Sequence, residues 1–210
     1  MDLIRNEEFH YVELSHKTVF IDKMWEIGKA IQNCQCIEIS YQKLKGREVV
    51  KRRLRPLAIL FSEYYFYLTA IIDDEKLRED FNIINDAFPT IYRMDRIQSL
   101  EVLQEKFRIP YRSRFEEGEF RKRVQVMYGG QLQKITFRYW GASIEAVLDR
   151  LPTAEILEEE DGVYLVEAEV FGQGVEMWLR SWQNVVEVLK PDGLREKMKG
   201  ELREVVERYE

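Results

Sequence analysis

Three cations recur at every second position in the stretch Lys51-Arg52-Arg53-Leu54-Arg55. If this stretch is extended, Lys51, Arg53 and Arg55 share one face. Cations so placed repel one another unless an anion or a row of carboxylates lies opposite. Arginine is the side chain suited to bidentate phosphate contact. A second pair, Arg93 and Arg96, lies in Tyr92-Arg93-Met94-Asp95-Arg96-Ile97. Aromatic rings accompany them. In Glu63–Ile71, an extended chain puts Tyr65 and Tyr67 on one face and Tyr64 and Phe66 on the other. Tyr41, Tyr67 and Tyr92 are candidates to stack on a base or a guanidinium. Arginines beside aromatic platforms on a small barrel suit single-stranded nucleic acid or nucleotides. The competing reading is a solvated strand face, with Asp95 and Glu48 as partners and half-buried tyrosines. The spacing alone leaves both open.

Other chemistries find little support. The two histidines, His10 and His16, stand in no nucleophile, triad or metal-ligand spacing. The glycine pairs in Tyr128-Gly129-Gly130-Gln131 and Phe171-Gly172-Gln173-Gly174-Val175 lack the spacing of a phosphate loop. Adjacent acids such as Glu159 and Glu160 suit a solvated turn. No enzyme, cofactor or metal is expected. Cys34 and Cys36 are too few and too close for a disulfide framework and read as ordinary thiols of a reducing cytoplasm.

The elements must hold these residues within 210 residues of net charge −6. No apolar run approaches a membrane span, and the first ten residues do not form a secretion signal. A cytoplasmic location is therefore expected. The charge is uneven. Residues 1–40 carry 4 basic and 7 acidic side chains, residues 41–123 carry 18 and 14, and residues 124–210 carry 10 and 17. The middle attracts anions and the ends do not. Global acidity opposes non-specific coating of duplex DNA.

Ser15–Asn33 reads as an amphipathic helix, with Ser15 and Asn33 as caps and Phe20, Met24, Ile27 and Ile31 as its stripe. Residues 35–108 then hold five or six short strands: 36–42, 49–55 ended by Pro56, 57–61, 64–72, 90–97 and 99–107. Such density predicts a small, strongly bent antiparallel barrel. Residues 109–133 are polar and aperiodic and read as a linker. From 134 the order is strand, helix, strand, strand, helix, strand, then a closing helix. A turn is predicted at Asp161-Gly162, and Ser143 is the expected N-cap of the first of these helices. That order is the split β-α-β unit of ferredoxin-like domains. The fold class expected is thus α+β.

The stretch from Ile37 to Leu103 resembles the WYL domain of bacterial transcriptional regulators. Its marks are Tyr41, the basic strand running into Pro56, Phe66-Tyr67-Leu68, and the closing segment Tyr92–Ile97. Phe66 stands where the family signature has tryptophan, and Thr90 stands near a place where the family often has a further arginine. Residues 134–191 resemble the WCX extension that often follows a WYL domain. The resemblance implies an Sm-like or SH3-like barrel behind an N-terminal helix (1–34), a linker, and a ferredoxin-like domain (134–210). It also implies an anionic effector, either single-stranded nucleic acid or a nucleotide, held by Arg53, Arg55, Arg93 and Arg96 with Tyr41 and Tyr67 orienting it. The same resemblance implies a homodimer, with promoter DNA reached only through a helix-turn-helix domain not found in these residues.

Overall fold

The computed structural model describes residues 21–44, 46–62, 64–74, 89–108 and 116–210. Ser15, Phe20, both histidines and most of the 73–89 connection lie outside them. The chain divides into two compact units. The first runs through Asp73 and resumes at Tyr92–Phe107; the second takes in Arg108–Glu210 and the segment 74–91. The architecture is mixed α and β, with two antiparallel sheets.

In the first unit helix α1 (Ile21–Gln32) buries Ile27 and Ala30. It leaves the helical path at Cys34, whose φ is 51°, one residue beyond the expected cap Asn33. Five strands follow: β1 (Gln35–Gln42), β2 (Val49–Ser62), β3 (Tyr65–Ile72), β4 (Thr90–Arg93) and β5 (Ile97–Lys106). They pair in the order β4-β3-β2-β1-β5. Only the 3-10 turn Met94–Arg96 separates β4 from β5, although these are the two outer strands. Two edges joined by three residues must meet at that corner, so the sheet coils strongly. No ladder between β4 and β5 closes it among the described strands, so the expected barrel is an open, coiled sheet.

The largest departure from the sequence reading concerns Pro56. It was expected to end a strand, yet β2 runs through it for 14 residues. Pro56 pairs with Ala70 at a register shift, beyond the last β1 pair at Ile37 and Leu54. Its missing N–H therefore costs no ladder bond to β1, and the bulge absorbs its ring.

The second unit begins with an element the sequence did not announce. Within the expected linker, Glu117–Arg123 form helix α2, whose Phe120 is buried and meets Phe171 with ring centroids 5.3 Å apart. Then come β6 (Leu132–Tyr139), α3 (Glu145–Arg150), β7 (Glu155–Glu160), β8 (Val163–Phe171), α4 (Gly172–Ser181), β9 (Val186–Lys190) and α5 (Asp192–Tyr209). The strand order is β7-β8-β6-β9. Alternate residues of β6 and β8, namely Ile135, Phe137, Tyr139, Val166, Ala168 and Val170, fill the core against Val175, Trp178 and Leu179 of α4. The β7–β8 hairpin turns at Asp161 and Gly162, both at positive φ, as the Asp-Gly pair predicts. Ile144, not Ser143, stands at the N-cap of α3, and the Ser143 carbonyl instead accepts a hydrogen bond from the Tyr139 hydroxyl at 3.0 Å.

Both edges of this second sheet are guarded. Every residue of β7 is exposed, four of its six are glutamates, and a register shift interrupts its pairing. On β9, the Arg195 guanidinium donates to the Val188 carbonyl at 2.6 Å. Charge, a bulge and a capped carbonyl are the devices that stop stray strands from pairing.

Candidate anion-binding face

The register of β2 decides where its cations point. Leu54 lies opposite Ile37 and Ile72, all three buried. Lys51, Arg53 and Arg55 alternate with it and therefore project from the other face. Cys36, Glu38, Ile71 and Asp73 share that outer face by the same alternation.

One carboxylate serves two of these guanidiniums. Asp73 accepts from Arg53 Nε through Oδ2 at 2.8 Å and from Arg55 Nε through Oδ1 at 2.8 Å. Its backbone N–H also donates to the Arg53 carbonyl at 2.9 Å, which pins it beside them. Glu105 adds a looser contact, 3.6 Å from Arg53. Arg53 remains 43% exposed. Lys51 leans on Glu38 at 3.2 Å and is 76% exposed. Cys36 is buried beside this group. Burial pushes its thiol pKa up and the Asp73 charge adds to that, while the two arginines pull it down.

The second pair behaves otherwise. Arg93 is held bidentately by Asp95, Nε to Oδ1 at 2.9 Å and Nη2 to Oδ2 at 2.5 Å. Its guanidinium carbon lies 3.7 Å from the centre of the Tyr65 ring. These side chains are only 16% and 8% exposed. The hydrogen bonds that Arg93 donates to Asp95 hold its pKa above the ordinary value. Arg96, in the 3-10 turn, is half-buried and has no ion pair among the described residues.

Tyr41 is a strut rather than a platform. It stands on the core face with Ile37 and Ile39, its ring edge-on to buried Tyr92 at 5.0 Å, and its hydroxyl accepts from the Arg93 backbone N–H at 3.3 Å. Tyr67 is half-buried and shares its face of β3 with Tyr65, Ile71 and Asp73. The structure therefore brings Arg53 and Arg55 together, and Arg93 together with Tyr65 near Tyr67. The two sets lie along one face of β3. Ile71, which lies opposite Arg55, is six positions along β3 from Tyr65, a rise of about 20 Å if the strand is straight.

Sequence reasoning missed Asp73 and Tyr65 as members of the site. Both were legible in principle, because Asp73 continues the odd-numbered face of 65–71. Which strand would lie beside β2, and in what register, was not.

The WYL domain family model matches residues 23–102. The WCX domain family model matches residues 133–206. The chain is a WYL–WCX protein. No curated protein matches it. Among solved structures it is similar to one titled a CRISPR Cas-related protein, with 19% identity, a TM-score of 0.55, and coverage of 90% of this chain and 52% of that one. It is also similar to proteasome accessory factor B/C of Arthrobacter aurescens, with 17% identity, a TM-score of 0.36, and coverage of 87% and 26%. The WYL–WCX chain spans about half and about a quarter of those chains. No helix among its described residues is long and apolar enough to cross a membrane.

Proposed function

We propose that this WYL–WCX chain is a cytoplasmic, non-enzymatic ligand-sensing and dimerisation module of a bacterial transcriptional regulator, and that its effector is an anionic nucleic acid or nucleotide. The observation that carries the reading is the outer face of β2, where Lys51, Arg53 and Arg55 project together and one aspartate bridges both arginines. The family supplies the regulatory context. The coiled five-stranded sheet with its short 3-10 corner supports an Sm-like or SH3-like fold for the WYL part. The order β7-β8-β6-β9, with α3 and α4 as its crossovers, supports a ferredoxin-like fold for the WCX part. In such a module the effector acts through a difference in its affinity for two dimer arrangements, since tight binding without that difference shifts nothing.

The test is a titration of labelled oligothymidylate against wild type and the Arg53→Ala/Arg55→Ala double variant at two salt concentrations. The reading expects salt-dependent binding by wild type only. Equal, salt-insensitive binding by both proteins would overturn it.

A second reading, an assembly module without a ligand, is favoured by α5. Leu194 and Met198 pack down, but the same stripe continues through Leu202, Val206 and Tyr209, which are 38%, 56% and 89% exposed. A groove of about 520 Å³ runs beside it along β9. Light scattering checks this reading, and a strict monomer counts against it.

A further inference from the structure

We infer that Asp73 is a resident competitor for the anion site and sets the class of effector it accepts: phosphate-bearing polyanions, and not carboxylates. This rests on the reading of the β2 face given above and adds a selectivity device to it.

Asp73 occupies both guanidiniums in the way an entering anion would. Its two oxygens each accept one Nε–H at 2.8 Å, so the Nε donors of Arg53 and Arg55 are spent on one carboxylate. Its position is fixed twice, by those bonds and by its own backbone N–H on the Arg53 carbonyl. A group tethered this closely acts at an effective concentration of millimolar or more. A free carboxylate offers the arginines the same bond as Asp73 and also loses its own translational freedom. It therefore cannot compete. A phosphate brings a third acceptor oxygen and can carry more than one charge, and neighbouring phosphates add to it. Such a ligand gains more from the pair than Asp73 does and can displace the aspartate or share the cations with it.

Arg93 supplies the contrast within the same sheet. Asp95 grips it bidentately, the Tyr65 ring covers it, and both charged side chains are largely buried. That pair is built to stay closed. The Asp73 group is different: its carboxylate is divided between two arginines, and Arg53 stays substantially open to solvent.

The test uses the full chain with three probes: labelled oligothymidylate, inorganic triphosphate and acetate. Oligothymidylate and triphosphate share the phosphate chemistry, and comparing them tells whether the nucleic acid itself is needed. The Asp73→Asn variant should bind both phosphate probes about tenfold more tightly than wild type. It should also acquire acetate binding that wild type lacks. If wild type binds the phosphate probes and Asp73→Asn binds them no more tightly, the competitor role is overturned while the anion site stands. If neither protein binds any probe, the anion site falls as well. If only Asp73→Asn binds, Asp73 shuts phosphates out of the wild-type site as well, and the selectivity claimed here is overturned. A readout on wild type guards against a variant that fails to fold. Side-chain Nε–H nuclear magnetic resonance signals of Arg53 and Arg55 should move when triphosphate is added, while that of Arg93 stays in place. Static Arg53 and Arg55 signals at saturating triphosphate would overturn the inference.

Discussion

Both units of this chain bridge a pair of arginines with one carboxylate, Asp73 between Arg53 and Arg55 in the first and Glu187 between Arg138 and Arg195 in the second, and they differ in what their other arginines touch. In the first, Arg53 and Arg55 divide one aspartate between them. In the second, single arginines sit between two acids: Arg123 contacts Glu119 and Glu169 at 2.7 Å each, and Arg180 contacts Glu201 at 2.6 Å and Glu176 at 3.2 Å. Asp73 is thus shared, with Glu105 adding a looser contact to Arg53 at 3.6 Å, whereas Arg123 and Arg180 each touch two acids. The uneven charge along the sequence is thus carried into local geometry. An arginine that shares its acid and stays open to solvent, as Arg53 does, can meet a ligand, whereas one flanked by two acids is held in place. The comparison also sorts arginines within the first sheet, because Arg93, with a whole carboxylate to itself, belongs with the structural ones.

The largest effect expected is therefore on stability, at Arg93. Arg93→Ala leaves Asp95 with its charge in a site where it is only 8% exposed. Breaking a largely buried pair from one side costs about 3 kcal/mol. Denaturant unfolding measures it. Restoring neutrality with Arg93→Gln/Asp95→Asn should recover much of the loss. If Arg93→Ala is silent in unfolding but lowers oligonucleotide binding, Arg93 moves to the ligand-binding group and the sorting fails.

Next comes binding at the shared pair. Arg53→Ala/Arg55→Ala should weaken oligothymidylate binding by about a hundredfold, some 2.7 kcal/mol, and flatten its salt dependence. Unfolding should change less than for Arg93→Ala, since Arg53 is substantially exposed and Arg55 and Asp73, each 21% exposed, are more open than Arg93 and Asp95. Loss of stability without loss of binding would reverse the two roles.

How much of this contrast was readable beforehand differs between fold and site. Helix and strand types followed from periodicity, as in the Phe20–Ile31 stripe, of which Ile27 is buried, and the alternation of Ile37 and Ile39. The Asp161-Gly162 turn needed only its backbone chemistry. Pro56 misled because its penalty depends on whether a neighbour needs its N–H, a tertiary fact. Helix α2 was hidden because its seven residues hold one apolar anchor, Phe120, too few to show a period. For the site, alternation put Lys51, Arg53 and Arg55 on one face. Alternation also put Tyr41 on the face of Ile37 and Ile39, but it could not say that the Tyr41 hydroxyl serves the Arg93 backbone, because that follows from the coil of the sheet. Nor could it assign Asp73 to Arg53 and Arg55, because that follows from the pairing of β2 with β3.

The acid side of the comparison has its own signature in pH. Hydrogen bonds from Arg123 and Lys122 hold the Glu119 pKa down at about 2. A carboxyl lowered on folding stabilises the protein above its unfolded pKa and loses that contribution as pH falls through its folded value. Glu187 and Glu201 are lowered as well, by Arg195 and Arg180 first. Acid unfolding between about pH 4.5 and 2 should therefore weaken the second unit in particular. Glu119→Gln should remove part of that pH dependence while changing stability little near pH 2. A slope unchanged by the substitution would show that the Glu119 contacts contribute nothing in solution.

The smallest effect is expected at Lys51, and it tests where the cation-rich group ends. Its bond to Glu38 is a surface pair, 76% and 38% exposed, so Lys51→Ala should alter stability by no more than about 0.5 kcal/mol. Lys51 shares the outer face with Arg53 but has no part of Asp73. If the site is the pair bridged by Asp73, Lys51→Ala weakens oligothymidylate binding severalfold at most, through the loss of one screened charge, and the change fades with added salt. If it weakens binding as much as Arg53→Ala, the cations act as a continuous row along β2. The bridging aspartate would then no longer mark the boundary of the site, and the division between available and structural arginines would have to be drawn by exposure instead of by shared acids.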